Sequence, residues 1–235
     1  MAEKMMTKRQ LEAHIRKMIF AELKPLGFAK KESQFIIEND IFIFKILAAY
    51  TSGKDPNGLI FEFTCALTIK SINEFLNSLD NREFTLATFL FPLEILQSPD
   101  ANGLWYKFYL DNEKDTLEKI QKITHLIKNI IKHFDKIQGV EILTEKGIRK
   151  LPFLFKRYRN GLMADFKYCQ PPVAVIGQAL DGNIDTALEF LNKGHILSDI
   201  EKAKLKELIE TKQLNAIFNF NPPPKSDLSH PQSRQ

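Results

Sequence analysis

Five histidines, two cysteines and a Ser-Gly-Lys triplet are the residues of this chain that chemistry could recruit first. His125 and His133 share one helical stretch but stand eight residues apart, roughly 12 Å along the axis. One metal ion cannot take both, since zinc-binding helices use an i, i+4 pair, usually with a flanking acid. Cys169 lies in Tyr168-Cys169-Gln170-Pro171-Pro172. A nucleophilic thiol needs a neighbouring base, and only Lys167, no histidine, is near in sequence. Ser52-Gly53-Lys54 lacks the rest of a phosphate loop and joins strand to strand, where phosphate cradling needs backbone N–H groups leading into a helix. Asp181-Gly182-Asn183-Ile184-Asp185 spaces its oxygens as a calcium loop would. However, the sixth position is Thr186 and the twelfth Asn192, and a turn with Asn183 as a helix N-cap explains the same residues. No carboxylate pair stands out for acid–base work. The sequence therefore leads us to expect no catalytic residue, no cofactor and no metal.

The sharpest remaining feature is basic. Lys146, Arg149, Lys150, Lys156, Arg157 and Arg159 are interleaved with Phe153, Phe155, Tyr158 and Tyr168. Three readings compete, in this order: a solvated helix face with the phenylalanines buried beneath it; an interface for an acidic protein partner; a nucleic-acid contact. Arg149, Lys150, Lys156, Arg157 and Arg159 are the candidate binding residues. No helix-turn-helix, RNP strand or glycine clamp supports nucleic acid. Charge is also segregated along the chain. Residues 33–111 carry 5 basic against 10 acidic side chains, residues 144–170 carry 7 against 2, and residues 1–32 carry 8 against 4. Such asymmetry can mark a face for an acidic partner.

The elements that must position these residues follow from periodicity. Thr7 and Gln10 read as a capping box opening a helix. Leu11, Ile15, Met18, Ile19 and Leu23 form its apolar stripe, with Lys8, Arg9, Arg16 and Lys17 mostly on the other side. Pro25 and Gly27 stop it. The period then drops to two. Gln34–Glu38 is a strand, Asn39-Asp40 a turn, and Ile41–Phe44 is apolar on both faces, as a central strand covered on each side would be. From Leu59, Phe61, Phe63, Cys65, Leu67 and Ile69 share one face of a strand whose other face is wet. Ser71 and Glu74 read as a capping box for a short helix. Strands over 84–91 and 104–110 follow. The longest helix spans about Glu113 to Gln138, with Leu117, Ile120, Ile123, Ile127, Ile130, Phe134 and Ile137 as the stripe that lies across the sheet. Beyond it, 144–158 reads as a helix interrupted at Pro152. Val173–Leu180 and Asn183–Asn192 read as two short helices, and Ser198 with Glu201 caps a last one.

The predicted class is thus α+β: an antiparallel β-meander of about five strands packed on an N-terminal and a long central helix, with a C-terminal helical subdomain. The expected division is 7–143, 144–218, and a disordered tail over 219–235. The 235 residues are 44% apolar and include 19 Phe against 5 Tyr and 1 Trp, which favours a thick core over a stacking surface. With no apolar h-region at the N-terminus and no long apolar run, a cytoplasmic location and no membrane contact are expected.

The order of a helix, Leu23-Lys24-Pro25-Leu26-Gly27-Phe28, a hairpin, strands ending in Trp105-Tyr106, a long helix and Leu151-Pro152-Phe153-Leu154 resembles an uncharacterised bacterial domain-of-unknown-function family. Its members are small cytoplasmic α+β proteins, some of them suggested to be immunity proteins of toxin systems. The resemblance spans roughly residues 8–210 and brings no catalytic residues with it. It implies a non-enzymatic protein-binding module that neutralises a toxin or similar partner. The alternatives are an enzyme whose site is assembled from distant segments, and a weak nucleic-acid binder acting through residues 146–159.

Overall fold

A computed structural model describes residues 7–51, 57–80, 85–93, 106–109, 112–155, 171–193 and 197–220. The first helix, α1 (Lys8–Leu23), opens on both bonds of the Thr7–Gln10 capping box and buries Leu11, Ile15, Ile19 and Leu23. A 3-10 turn over Lys24–Leu26 ends at Gly27, whose φ of +90° is the left-handed conformation that glycine adopts without penalty.

Six antiparallel strands follow: β1 (Ala29–Lys31), β2 (Gln34–Glu38), β3 (Phe42–Thr51), β4 (Gly58–Ile69), β5 (Phe89–Pro92) and β6 (Tyr106–Tyr109). The order β1-β2-β3-β4 is that of a meander. Asn39 makes the tight β2–β3 turn by accepting the N–H groups of Ile41 and Phe42 on its Oδ1. β5 pairs with Thr64–Leu67 and β6 with Gly58–Phe61, so both lie end to end on the same edge of β4. The connection between them lies outside the described residues, save for the buried Leu93.

The cross-strand register puts Phe44, Leu67 and Phe89 on one face, together with Ile46, Cys65 and Phe91. All six are essentially buried. The long helix α3 (Glu113–Ile131) covers this face beside α1, burying Ile120, Ile123, Ile127 and Ile130. Phe134, just past its end, meets Phe42 and Phe44 edge-on at 5.0 and 4.8 Å between ring centres. Each such buried side chain is worth about 1.5–3 kcal/mol over its exposed state.

The remaining helices are α2 (Lys70–Asp80), α4 (Glu145–Ile148), α5 (Pro152–Phe155), α6 (Pro171–Leu180), α7 (Ile184–Lys193), α8 (Asp199–Glu210) and α9 (Leu214–Ile217). α6 packs on α7 and α9, α7 on α8, and α8 on α2, and their apolar side chains join the same hydrophobic cluster as the sheet. Ser198 and Glu201 make both bonds of the capping box expected at the start of α8. No described helix is long and apolar enough to cross a membrane.

Several expectations change. Leu117 is 44% exposed, because the buried stripe of α3 passes from Ile120 back to Thr116, four residues earlier, and leaves Leu117 to one side. The α-helix ends at Ile131, and a 3-10 turn over Phe134–Lys136 carries Phe134 and Ile137 into the core instead. β4 runs directly into α2, which starts at Lys70, so Ser71 stands inside the first turn and not at its cap. The last strand before Pro92 is shorter than expected and includes the proline. Ile43 is only half-buried, so β3 is densely covered on one face alone. The first two residues of the tail expected over 219–235, Asn219 and Phe220, are ordered, with Phe220 packed against the core; the rest of it, the Ser52-Gly53-Lys54 loop, Trp105 and Cys169 lie outside the described residues.

Candidate binding cleft

α2 places Ser71, Glu74, Phe75 and Ser78 three and four residues apart, hence on one face. That face forms one wall of an open cleft of about 620 Å³. The floor is the Gln138–Glu141 turn that leaves the end of the α3 region, and the far wall is Ile217–Phe220 at the end of α9. Each wall has a local reason. Gly139 turns the floor with φ +139° and ψ −141°, a conformation open essentially to glycine alone. Asn219 closes α9 in the left-handed region at φ +49°, where asparagine is among the better tolerated residues. Two bonds complete that closure, Asn219 N–H to the Ala216 carbonyl at 3.1 Å and Phe220 N–H to the Asn215 carbonyl at 2.7 Å.

Phe75 and Phe218 meet edge-on at 5.1 Å beneath the cleft and join its two walls. Lys204 of α8 holds α2 from behind by donating to the Leu79 carbonyl at 2.6 Å. The lining is mixed, with polar groups giving somewhat more of its surface than apolar ones, and Ile217 is its exposed apolar side chain at 45%. Among the described residues the polar lining is two carboxylates, two hydroxyls and two amides, with no histidine, cysteine, lysine or arginine. The Glu141 carboxylate accepts the Gln138 N–H at 2.9 Å, which fixes it on the floor. The Ser78 hydroxyl donates to the Phe75 carbonyl at 2.6 Å. This chemistry suits holding an apolar side chain next to a cation better than activating a nucleophile.

The residues singled out from sequence sit elsewhere. Arg149 caps the C-terminal end of α4, exposed, and pairs with Glu145 of the same helix, which offsets its charge; Lys150 beside it is half-buried. Lys156, Arg157 and Arg159 lie outside the described residues. His125 and His133 stay on the surface of the α3 region, bonded to Asn129 and Lys136. No group of three or more metal-ligating side chains occurs among the described residues. The Asp181–Asp185 run is a helix-ending turn. Gly182 N–H bonds the Ala179 carbonyl and Asn183 N–H the Gln178 carbonyl, while Asp181 accepts the Glu145 N–H at 2.9 Å and so caps α4 from α6.

A second polar centre escaped sequence reading altogether. Arg16 is buried, although one residue past Ile15 on a helical wheel it falls toward the wet side. Its guanidinium donates to Glu12 at 2.8 Å, to the Ala48 carbonyl at 2.8 Å and to the Ser33 carbonyl at 3.2 Å, pinning α1 to the sheet. Tyr50 and Phe61 present their rings to the same guanidinium at 5.9 and 5.7 Å. The Tyr50 hydroxyl bonds Glu12, and that bond, then the carboxylate's charge, holds the phenol above its ordinary pKa. The four-residue spacing of Glu12 and Arg16, each one residue past the apolar stripe, carries no signal that separates this from a surface pair.

Fold and cleft together define an α+β protein with an open, amphipathic, acid-rimmed recess. Compared with family models, with curated proteins and with solved structures, the chain matches none, so its functional reading rests on this geometry.

Proposed function

We propose that this chain is a non-enzymatic protein-binding module and that the α2–α9 cleft is where it grips its partner. The cleft carries the reading: an open recess in which exposed Ile217 and the Phe75–Phe218 pair stand beside Glu74 and Glu141. An apolar anchor entering such a recess, next to a lysine or arginine of the same segment, is the arrangement that concentrates energy at protein interfaces. Immunity-type neutralisation of a toxin is the particular form that the family resemblance suggests. The charge pattern of residues 144–170 adds a partner with an acidic surface.

The test is selection of displayed random peptides on the immobilised protein, followed by affinity measurement. Peptides pairing an apolar with a basic residue are expected to be enriched. Ile217→Asp and Glu74→Lys should each weaken them about tenfold or more with an unchanged melting temperature. If no enriched peptide responds to either substitution, the cleft is not the recognition site.

A further inference from the structure

From Lys122 to Lys136 the chain carries four lysines, two histidines and a single acidic residue, the exposed Asp135. The structure turns much of this stretch outward: Lys122, His125, Lys128, Lys132 and Lys136 are exposed along one side of the α3 region. The N-terminal half of α3 is built differently, with Lys119 paired to Asp115 one turn back at 2.6 Å. In the other half only Lys128 has an acid partner among the described contacts, Glu22 of α1 at 3.2 Å. Lys132 donates to the Asn129 amide at 3.0 Å and Lys136 meets the His133 ring at 3.2 Å, partners that carry no negative charge. Half-buried His133 registers the field: burial first, then the ammonium groups of Lys136 and Lys132, push its pKa below the ordinary value against the opposing charge of Asp135.

The helix dipole accounts for a cation in the last turn, where Lys128 sits. It does not account for Lys122 in the middle of the helix or Lys136 beyond its end. Lys128 and Lys132 stand one turn apart, and like charges at that spacing cost a helix about 0.2–0.5 kcal/mol per pair, which Glu22 offsets in part and an external anion would offset further. The ridge also leads straight to the cleft, since Lys136 is two residues from Gln138 on its floor.

We propose that the solvent face of α3 from Lys122 to Lys136 is the docking surface for an acidic segment of the protein partner. The proposal rests on the protein-binding reading and places the partner's acidic surface on α3 instead of on Arg149 and its neighbours. A basic ridge adjoining an acid-rimmed cleft accepts a partner in one orientation and repels the reversed one.

The probe is a fluorescent oligoglutamate peptide, measured by anisotropy at low and physiological salt, with double-stranded DNA of equal charge alongside. The unaltered protein is expected to bind oligoglutamate at low salt. Joint Lys122→Glu, Lys132→Glu and Lys136→Glu should weaken it about tenfold or more and flatten its salt dependence. Arg149→Glu should change it little. The same three positions changed to Gln give a milder version if the reversal unfolds the chain. No oligoglutamate binding at low salt, binding unaffected by the α3 substitutions, or loss through Arg149→Glu alone would overturn the proposal. Tighter binding of the DNA would overturn it in favour of a nucleic-acid face. Cleft-selected peptides should still bind the α3 variants, so failure of the ridge and failure of the cleft are read separately.

Discussion

Removing the guanidinium of Arg16 would strand the Ala48 carbonyl and take the ion-pair partner from Glu12, while the Ser33 carbonyl keeps its bond from the Ala48 N–H at 3.2 Å. Because the side chain is only 9% exposed, water cannot readily replace it. Arg16→Ala is expected to cost about 3 kcal/mol in urea unfolding, in the range found when one partner of a buried ionic cluster is lost. Arg16→Lys should recover only part of this, because a single ammonium cannot fork to acceptors on β3, on the β1–β2 turn and on its own helix. A loss below about 1 kcal/mol for the alanine variant would mean that the cluster is effectively solvated. The residue also shows a limit of pattern reading. Arg16 lies at the border of the α1 stripe, where a helical wheel decides nothing; only the approach of Ser33 and Ala48 makes it a buried anchor.

At the scale of elements, the junction of α4 with the Val140–Leu143 turn depends on one missing methyl. A Cβ on Gly147 would lie 1.8 Å from the Glu141 carbonyl oxygen, a backbone atom that cannot swing aside. Gly147→Ala should therefore destabilise by about 1–3 kcal/mol, the usual cost of overpacking, even though alanine is the better helix former. It should also disturb the cleft floor, since Glu141 belongs to both, and cleft peptides should bind more weakly to this variant at temperatures where it is folded. An unchanged unfolding midpoint would show that α4 and this turn can separate freely. The period of the α3 stripe was legible in advance from Ile120 to Ile130, because burial on one sheet face imposes it. Its outer ends were not. Leu117 fits the period but is exposed because Thr116 takes the buried position beside it, whereas Phe134 and Ile137 stay buried although the helix has become a 3-10 turn.

For the molecule as a whole, pH reaches stability through Asp181. Burial first raises its pKa from 3.8 to about 6; the bond from the Glu145 N–H opposes this, and the Glu145 charge adds to it. The folded state holds this proton more tightly than the unfolded chain. The group's contribution is therefore most favourable below about pH 4 and is lost as pH rises to about 6. Asp181→Asn keeps an oxygen for the Glu145 N–H and removes the charge. With screening at this half-buried position allowed for, the variant should gain about 1 kcal/mol at pH 7 and nothing at pH 4. Parallel stability–pH curves for the two proteins would remove Asp181 as the source. Because Asp181 ties α6 to α4, the same titration is expected to loosen the attachment of the C-terminal helices to the turn that floors the cleft.

Local pattern alone determined that this chain is α+β, which residues of β4 face the core, and where α1 and α8 begin. Alternation, helical stripes and capping boxes act between residues that are close in sequence. The cleft and the basic ridge were settled by tertiary structure. Residues 71–78, 138–141 and 217–220 become neighbours only when α2, α3 and α9 pack on one core. Whether a lysine of α3 is paired depends on which helix lies alongside it, a relation no spacing within the sequence encodes.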